Sequence, residues 1–138
     1  MAATPSTMPP LGMPAPDFRL PDTGGVIRTL PDFAGASGLL VAFICPHCPF
    51  VVHIRHELGA FGRSYQDKGL AIVAIMSNDL AQYPQDDLEG MCKEAEEGEY
   101  SFAYLLDESQ EAASSVGRTR VHDSERRSDD DKSGCCDA

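Results

Sequence analysis

Two short apolar runs divide the chain: GLLVAFI, ending at Ile44, and GLAIVAIM, ending at Met76. Both are rich in branched residues and lack polar interruptions, which predicts strands buried on both faces of a parallel sheet. Between them, from Pro49 to Gln66, Phe50, Val51, Ile54, Leu58, Phe61 and Tyr65 follow steps of three and four. Lys68-Gly69 supplies a stop, so a helix is expected there. Leu88, Met91, Cys92 and Ala95 recur at i, i+3, i+4 and i+7, with Asp86 and Asp87 placed at the positive end of the helix dipole. A third strand is expected in YLLD at 104–107. Asp107 with Gln110 then resembles a capping box for a short helix closed by Gly117. Strands alternating with helices predict an α/β sandwich with a mostly parallel sheet, in which ligands sit beyond the C-terminal strand ends.

Upstream, PDFRLPDTGGVIRTL holds two short patterned pieces around Thr23-Gly24-Gly25, a β-hairpin signature. Downstream of residue 117 the character changes. The last 21 residues have Val121 as their one large apolar side chain, and 11 of them are charged. Such a segment buries too little surface to offset its ordering entropy and is expected to be a disordered tail. The expected organisation is a flexible segment over 1–10, one domain over 11–117 and the tail over 118–138.

At 138 residues the chain is the length of one domain. Its formal charge of −11 is unevenly spread: residues 1–117 carry 16 acidic and 6 basic side chains, and 118–138 carry 6 and 5. Such a body repels nucleic acid, whose phosphates require clustered Lys and Arg. The acidic residues of the second helix, Asp86, Asp87, Glu89, Glu94, Glu96 and Glu97, read as a solvated face. The N-terminal stretch lacks the apolar core of a secretory signal and any Arg of a transit peptide. The run Leu39–Ile44 is too short to span a bilayer. A cytoplasmic protein without a membrane partner is expected. Five cysteines, an odd number, then suggest reduced or catalytic thiols.

The chemistry concentrates in FICPHCPF at 43–50. A thiol attacks as its thiolate, so a redox centre needs groups that stabilise the anion. Cys45 falls at or just before the start of the first helix, where unpaired N–H groups and the positive dipole end collect. His47 adds positive charge when protonated. Pro46 and Pro49 stiffen the turn, with Pro49 a step deeper into the helix than its missing N–H favours. Cys48, one helical turn on, is spaced to close a ring with Cys45, as exchange through a mixed disulfide requires. In that reading Cys45 is the exposed attacker and Cys48 the more buried resolver. Two alternatives stay open. The pair could be inert core thiols, or it could bind zinc or copper with His47, His53, His56 or the vicinal Cys135-Cys136. No second C-x-x-C supports a metal site, and no metal ligand or other cofactor is assigned. His53 and His56 lie off the apolar stripe and read as surface residues. Cys92 reads as a core residue, and Cys135 and Cys136 as exposed tail thiols.

GMPAPDFRLPDTGG, LLVAFICPHCPFVVHIRHEL and GLAIVAIMSNDLAQYPQD together resemble the thioredoxin-like redoxins of the peroxiredoxin superfamily (alkyl hydroperoxide reductase and thiol-specific antioxidant). They are closest to the peroxiredoxin-like branch with a C-x-H-C-P motif, over about residues 11–117. The resemblance implies a thioredoxin-like fold: three layers, α/β/α, a mostly parallel central sheet and an N-terminal β-hairpin. It also implies an antioxidant thiol oxidoreductase without an organic cofactor, acting on a disulfide or peroxide substrate. Cys45 matches the reactive cysteine and Cys48 the second motif cysteine. The reductant implied is a dithiol donor such as the thioredoxin or glutathione system. Phe43-Ile44 replaces the Thr and Pro that precede a peroxidatic cysteine, which favours dithiol exchange over peroxide reduction. Thioredoxin folds also continue into a cis-proline loop, two strands and a helix, yet no proline follows Pro84. The fold is therefore expected to be incomplete at its C-terminus, leaving the motif strand with an apolar edge open to association. A catalytically impaired domain that binds or oligomerises is the alternative from a different class.

Overall fold

In the computed structural model, which describes residues 9–116, the two apolar runs pair side by side. Strand β3 (Gly38–Phe43) runs parallel to β4 (Leu70–Met76), with Gly38 opposite Leu70 and Phe43 opposite Ile75. β4 in turn pairs in parallel with β5 (Ala103–Leu106). The order β3-β4-β5 makes β4 central, and Val73, Ala74 and Met76 are fully buried. Its alternate side chains feed two apolar clusters. Ile72, Ala74 and Met76 join Cys45, Cys48, Val51, Met91, Phe102 and Tyr104 on one face. Val73 and Ile75 join Leu105 on the other, covered by Phe18, Leu20 and Phe33 from the N-terminal segment.

The expected hairpin is present. β1 (Arg19–Pro21) and β2 (Ile27–Thr29) pair antiparallel around a turn in which Gly25 takes a positive φ of 81°. The hairpin docks on the outer edge of β5, where the Thr23 amide donates to the Tyr104 carbonyl at 3.1 Å. Asp22 holds the turn by accepting from the Gly24 and Val26 amides and from Nε of Arg28. β5 is thus covered, whereas β3 ends the sheet on the other side.

Helix α1 spans Pro49–Gln66, the expected range. Pro49 is its first residue, where a missing N–H costs nothing, and Gly69 beyond its end adopts φ 90°. The apolar stripe read from the sequence is not the face it buries. Phe50, Ile54, Phe61 and Tyr65 are exposed, while Val51, Gly59 and Gly62 are buried. Small residues allow the close approach: a Cβ on Gly62 would stand 2.7 Å from the Phe102 ring.

Helix α2 (Leu88–Glu97) begins one residue after Asp87, whose carboxylate accepts from the Gly90 amide as an N-cap. Its apolar stripe is only half buried, since Met91 is enclosed and Leu88 is exposed. The acidic surface expected here is also broken. Glu94 is buried and paired with Arg55 of α1 at 3.0 Å, and Asp86 is fully buried in the 3-10 turn Pro84–Asp86 ahead of the helix. A short helix, α3 (Glu111–Ser115), follows β5, and Asp107 accepts from the Ala112 and Ala113 amides. The expected capping box of Asp107 with Gln110 is not formed: the Gln110 side chain donates instead to the Ser77 carbonyl at 2.8 Å. Gly117, the segments 1–8 and 118–138, and Cys135-Cys136 lie outside the described residues.

Candidate active site

The cysteine pair sits where the parallel sheet ends. Because Phe43 is level with Ile75, the chain leaving β3 meets the chain leaving β4, and the Ile44 amide donates to the Ile75 carbonyl at 3.1 Å. The next four residues, Cys45 to Cys48, form a turn closed by the Cys48 amide on the Cys45 carbonyl at 3.4 Å. Cys48 is the N-cap of α1. Cys45 therefore stands a full turn ahead of the helix, not at its first residue, so the helix dipole bears more directly on Cys48. Both residues are buried, at 2% and 4% exposure, which removes the expected contrast between an exposed attacker and a buried resolver.

What surrounds Cys45 is a histidine and a carboxylate. Its Sγ, a ring nitrogen of His47 and an oxygen of Asp86 all lie within 4.8 Å of one another. Asp86 is held on both oxygens: Oδ1 accepts the His47 amide at 3.1 Å, and Oδ2 accepts the Asn78 side-chain amide at 2.9 Å and Nδ1 of His47 at 2.6 Å. A carboxylate accepts only, so Nδ1 is the protonated nitrogen. The His47 ring is stacked on Tyr83, centroids 4.6 Å apart and planes 17° from parallel. Its Nε2 is buried without a hydrogen-bond partner.

Cys, His and Asp are also metal-ligating types, and both Asp86 oxygens are engaged by protein donors from His47 and Asn78. His53 and His56 are exposed along α1. Cys92 is only part-buried, its thiol donating to the Thr23 carbonyl at 3.7 Å. From β5, Tyr104 approaches the site with its hydroxyl 3.4 Å from the Ile44 carbonyl. Burial, with Glu94 and then Tyr100 adding to it, pushes its phenol far above the usual range, so it stays neutral.

Sequence reasoning located Cys45, Pro46, His47 and Cys48 and missed Asp86, Asn78 and Tyr83. One signal was present: the residues that follow β4 in a parallel sheet must lie beside those that follow β3, which points to Asn78. Asp86 sits in an acidic stretch and looks like surface.

Comparison with known proteins bears on the family and the fold. The family model described as Redoxin matches residues 10–128. A hypothetical protein from Sinorhizobium meliloti 1021 is 46% identical with a TM-score of 0.77, covering 80% of this chain and 61% of that one. An uncharacterized conserved protein from Geobacillus kaustophilus is 45% identical with a TM-score of 0.80, covering 86% and 63%. The chain thus spans less than two thirds of the length of these two relatives. The thioredoxin domain of a thiol-disulfide oxidoreductase from Bacteroides vulgatus shares the fold at 21% identity, with a TM-score of 0.61 over 76% of this chain and 71% of that one. No curated protein sequence matches the chain. Among the described residues no helix is long and apolar enough to cross a membrane.

Proposed function

Because the chain belongs to the Redoxin family, we propose that it is a thiol-disulfide oxidoreductase whose dithiol centre is Cys45 and Cys48. The observation that carries this reading is the convergence of the Cys45 sulfur with His47 and Asp86 at the C-terminal end of the parallel strands. The Cys45 thiolate attacks one sulfur of a substrate disulfide, the old S–S bond breaks, and the other substrate sulfur leaves as a thiolate. Cys48 then attacks the mixed disulfide, releasing the second substrate sulfur and leaving Cys45 and Cys48 oxidised. A dithiol donor of the thioredoxin or glutathione type reverses that oxidation. Since both cysteines are buried, substrate reaches Cys45 only when the groups covering it move aside. Pro46 limits the conformations of this turn, and His47 and Asp86 each place a proton acceptor within 4.8 Å of the reactive sulfur. The reducing cytoplasm suits a centre that works from the dithiol form. Reduction of insulin by dithiothreitol tests the proposal: the parent protein accelerates it and Cys45→Ser does not. Equal rates for the two would overturn it.

A second reading is favoured by the open edge of β3. No charged residue occurs from Phe33 to Ile54, so this edge lacks the Lys that usually guards against pairing, and Leu40 and Val41 are exposed. The fitting occupant is a second copy of the chain joined along β3. Size-exclusion chromatography with light scattering should show a dimer that Val41→Lys dissociates. A monomer at all concentrations would end this reading.

A further inference from the structure

We propose that Asp86 is a positioning residue for the cysteine pair: by gripping His47 it holds the Cys45–Cys48 turn in the shape from which Cys48 closes on Cys45. This rests on the dithiol reading above and deepens it.

The turn does little to hold itself. The hydrogen bond that closes it, from the Cys48 amide to the Cys45 carbonyl, is long at 3.4 Å, and Pro46 has no N–H to donate. The amide of His47, in the middle of the turn, points out of it and donates to Oδ1 of Asp86 at 3.1 Å. The ring of the same residue bonds Oδ2 at 2.6 Å. His47 is thus tied by main chain and side chain to one carboxylate 39 residues away, and Tyr83 lies against its ring. The anchor itself is firm. Asp86 is fully buried, its amide donates to the Tyr83 carbonyl at 3.0 Å, and Asn78, just beyond β4, donates to Oδ2 at 2.9 Å. The next residue, Asp87, caps α2. A buried carboxylate is costly when stripped of donors, so the turn cannot drift from Asp86 without leaving that group underbonded.

The ends of a turn closed in this way lie within about 7 Å of one another at Cα, the span that a disulfide bridges. Cys48 carries a thiol in this structure, so the ring that would join it to Cys45 is open. In the proposed reaction the ring closes while Cys45 is bonded to a substrate sulfur. Cys48 gives up its proton, its thiolate forms a bond to the Cys45 sulfur, and the bond from Cys45 to the substrate breaks. The substrate sulfur leaves with the electron pair and takes a proton, so Cys48 is oxidised and the substrate sulfur reduced. The rate depends on how often Cys48 stands in line with the bond it must break, and a turn held from outside raises that fraction. The grip acts through the placement of the His47 main chain and ring, and it requires no proton transfer through the imidazole.

The test exposes the reduced full chain to oxidised glutathione, quenches with acid and reads Cys45 by peptide mass spectrometry, either as its glutathione adduct or as the ring with Cys48. In the parent protein the ring should dominate. Asp86→Ala should raise the ratio of adduct to ring at least about tenfold, the effective concentration lost when a held pair is released. His47→Ala, which keeps the amide contact to Asp86, should raise it less. Asp22→Asn, which loosens the hairpin away from the turn, should leave it unmoved. An unmoved ratio in Asp86→Ala, or an equal rise in Asp22→Asn, overturns the inference even when Cys45→Ser abolishes insulin reduction. The expected ratios with no insulin reduction by the parent uphold it and remove the oxidoreductase reading instead. A parent that forms the adduct and no ring overturns both. If Asp86→Ala does not fold, hydrogen exchange of the parent decides. A gripped His47 amide exchanges at least about a hundredfold more slowly than in an unstructured peptide, and exchange at the peptide rate refutes the grip.

Discussion

Gly59 of α1 lies so close to Gly98, just past α2, that a Cβ at Gly59 would stand 1.9 Å from the Gly98 carbonyl oxygen. A backbone carbonyl at the end of a helix cannot swing away like a side-chain tip. Gly59→Ala therefore forces α1 off α2 and off the sheet that positions the cysteine turn. Alanine gains about 1 kcal/mol of helix propensity, whereas overpacking typically costs about 1–3 kcal/mol, and a backbone clash belongs at the upper end. A melting temperature several degrees below the parent is expected by circular dichroism, about 4–8 °C per kcal/mol for a domain of this size. Gly35→Ala, where nothing lies within 4 Å of the added carbon, should leave it unchanged. A Gly59→Ala protein as stable as the parent would contradict the packing described.

The same helix shows where sequence reasoning ran out. Its limits were legible because Pro49 and Gly69 act through backbone geometry that a sequence displays directly. Its buried face was not, because periodicity weighs side-chain bulk and points to Phe50, Ile54, Phe61 and Tyr65. The face that packs is built around Gly59 and Gly62, and close approach leaves no mark in a hydrophobic pattern. The site divided in the same way. Cys45, Pro46, His47 and Cys48 are contiguous and were read together, as was their place after a strand and before a helix. Asp86 reaches them only through the parallel register of β3 and β4, and an acidic residue among acidic residues carries no sign of burial. The β1-β2 hairpin was legible from Asp22 to Gly25, but not its docking against β5.

Arg55 and Glu94 make a second buried polar arrangement with a distinct mutational signature. The Glu94 side chain is 2% exposed; it bonds Nη2 of Arg55 at 3.0 Å and accepts the Tyr100 hydroxyl at 2.9 Å. Arg55 also contacts Glu97, which is 44% exposed. Arg55→Ala strands the Glu94 charge in the interior and should cost about 3–5 kcal/mol, as breaking a buried pair does. Glu97→Ala removes a solvated partner and should cost about 0–1 kcal/mol. Tyr100→Phe removes one hydrogen bond, worth about 1 kcal/mol. Replacing both partners, Arg55→Met with Glu94→Leu, should recover most of the loss. Urea denaturation ranks the four variants. Equal costs for Arg55→Ala and Glu97→Ala would show that Glu94 is hydrated and not buried with its partner.

Asp22 sets the acid sensitivity of the hairpin. Burial works to raise its carboxyl, but the Arg28 guanidinium and the Val26 and Gly24 amides outweigh it and hold the group below its ordinary 3.8. A carboxyl lowered in the folded state adds stability that is fully present above its unfolded value, near 3.9. That stability is lost as pH falls through the lower, folded value. Protonation weakens the contacts that shape the turn, and with them the attachment of Thr23 to the edge of β5. The urea midpoint should therefore fall below about pH 4, and Asp22→Asn should lower it at pH 7 while flattening that acid limb. Amide exchange at Thr23 should rise over the same interval in the parent protein. An acid limb equally steep in Asp22→Asn would assign the sensitivity to other carboxylates.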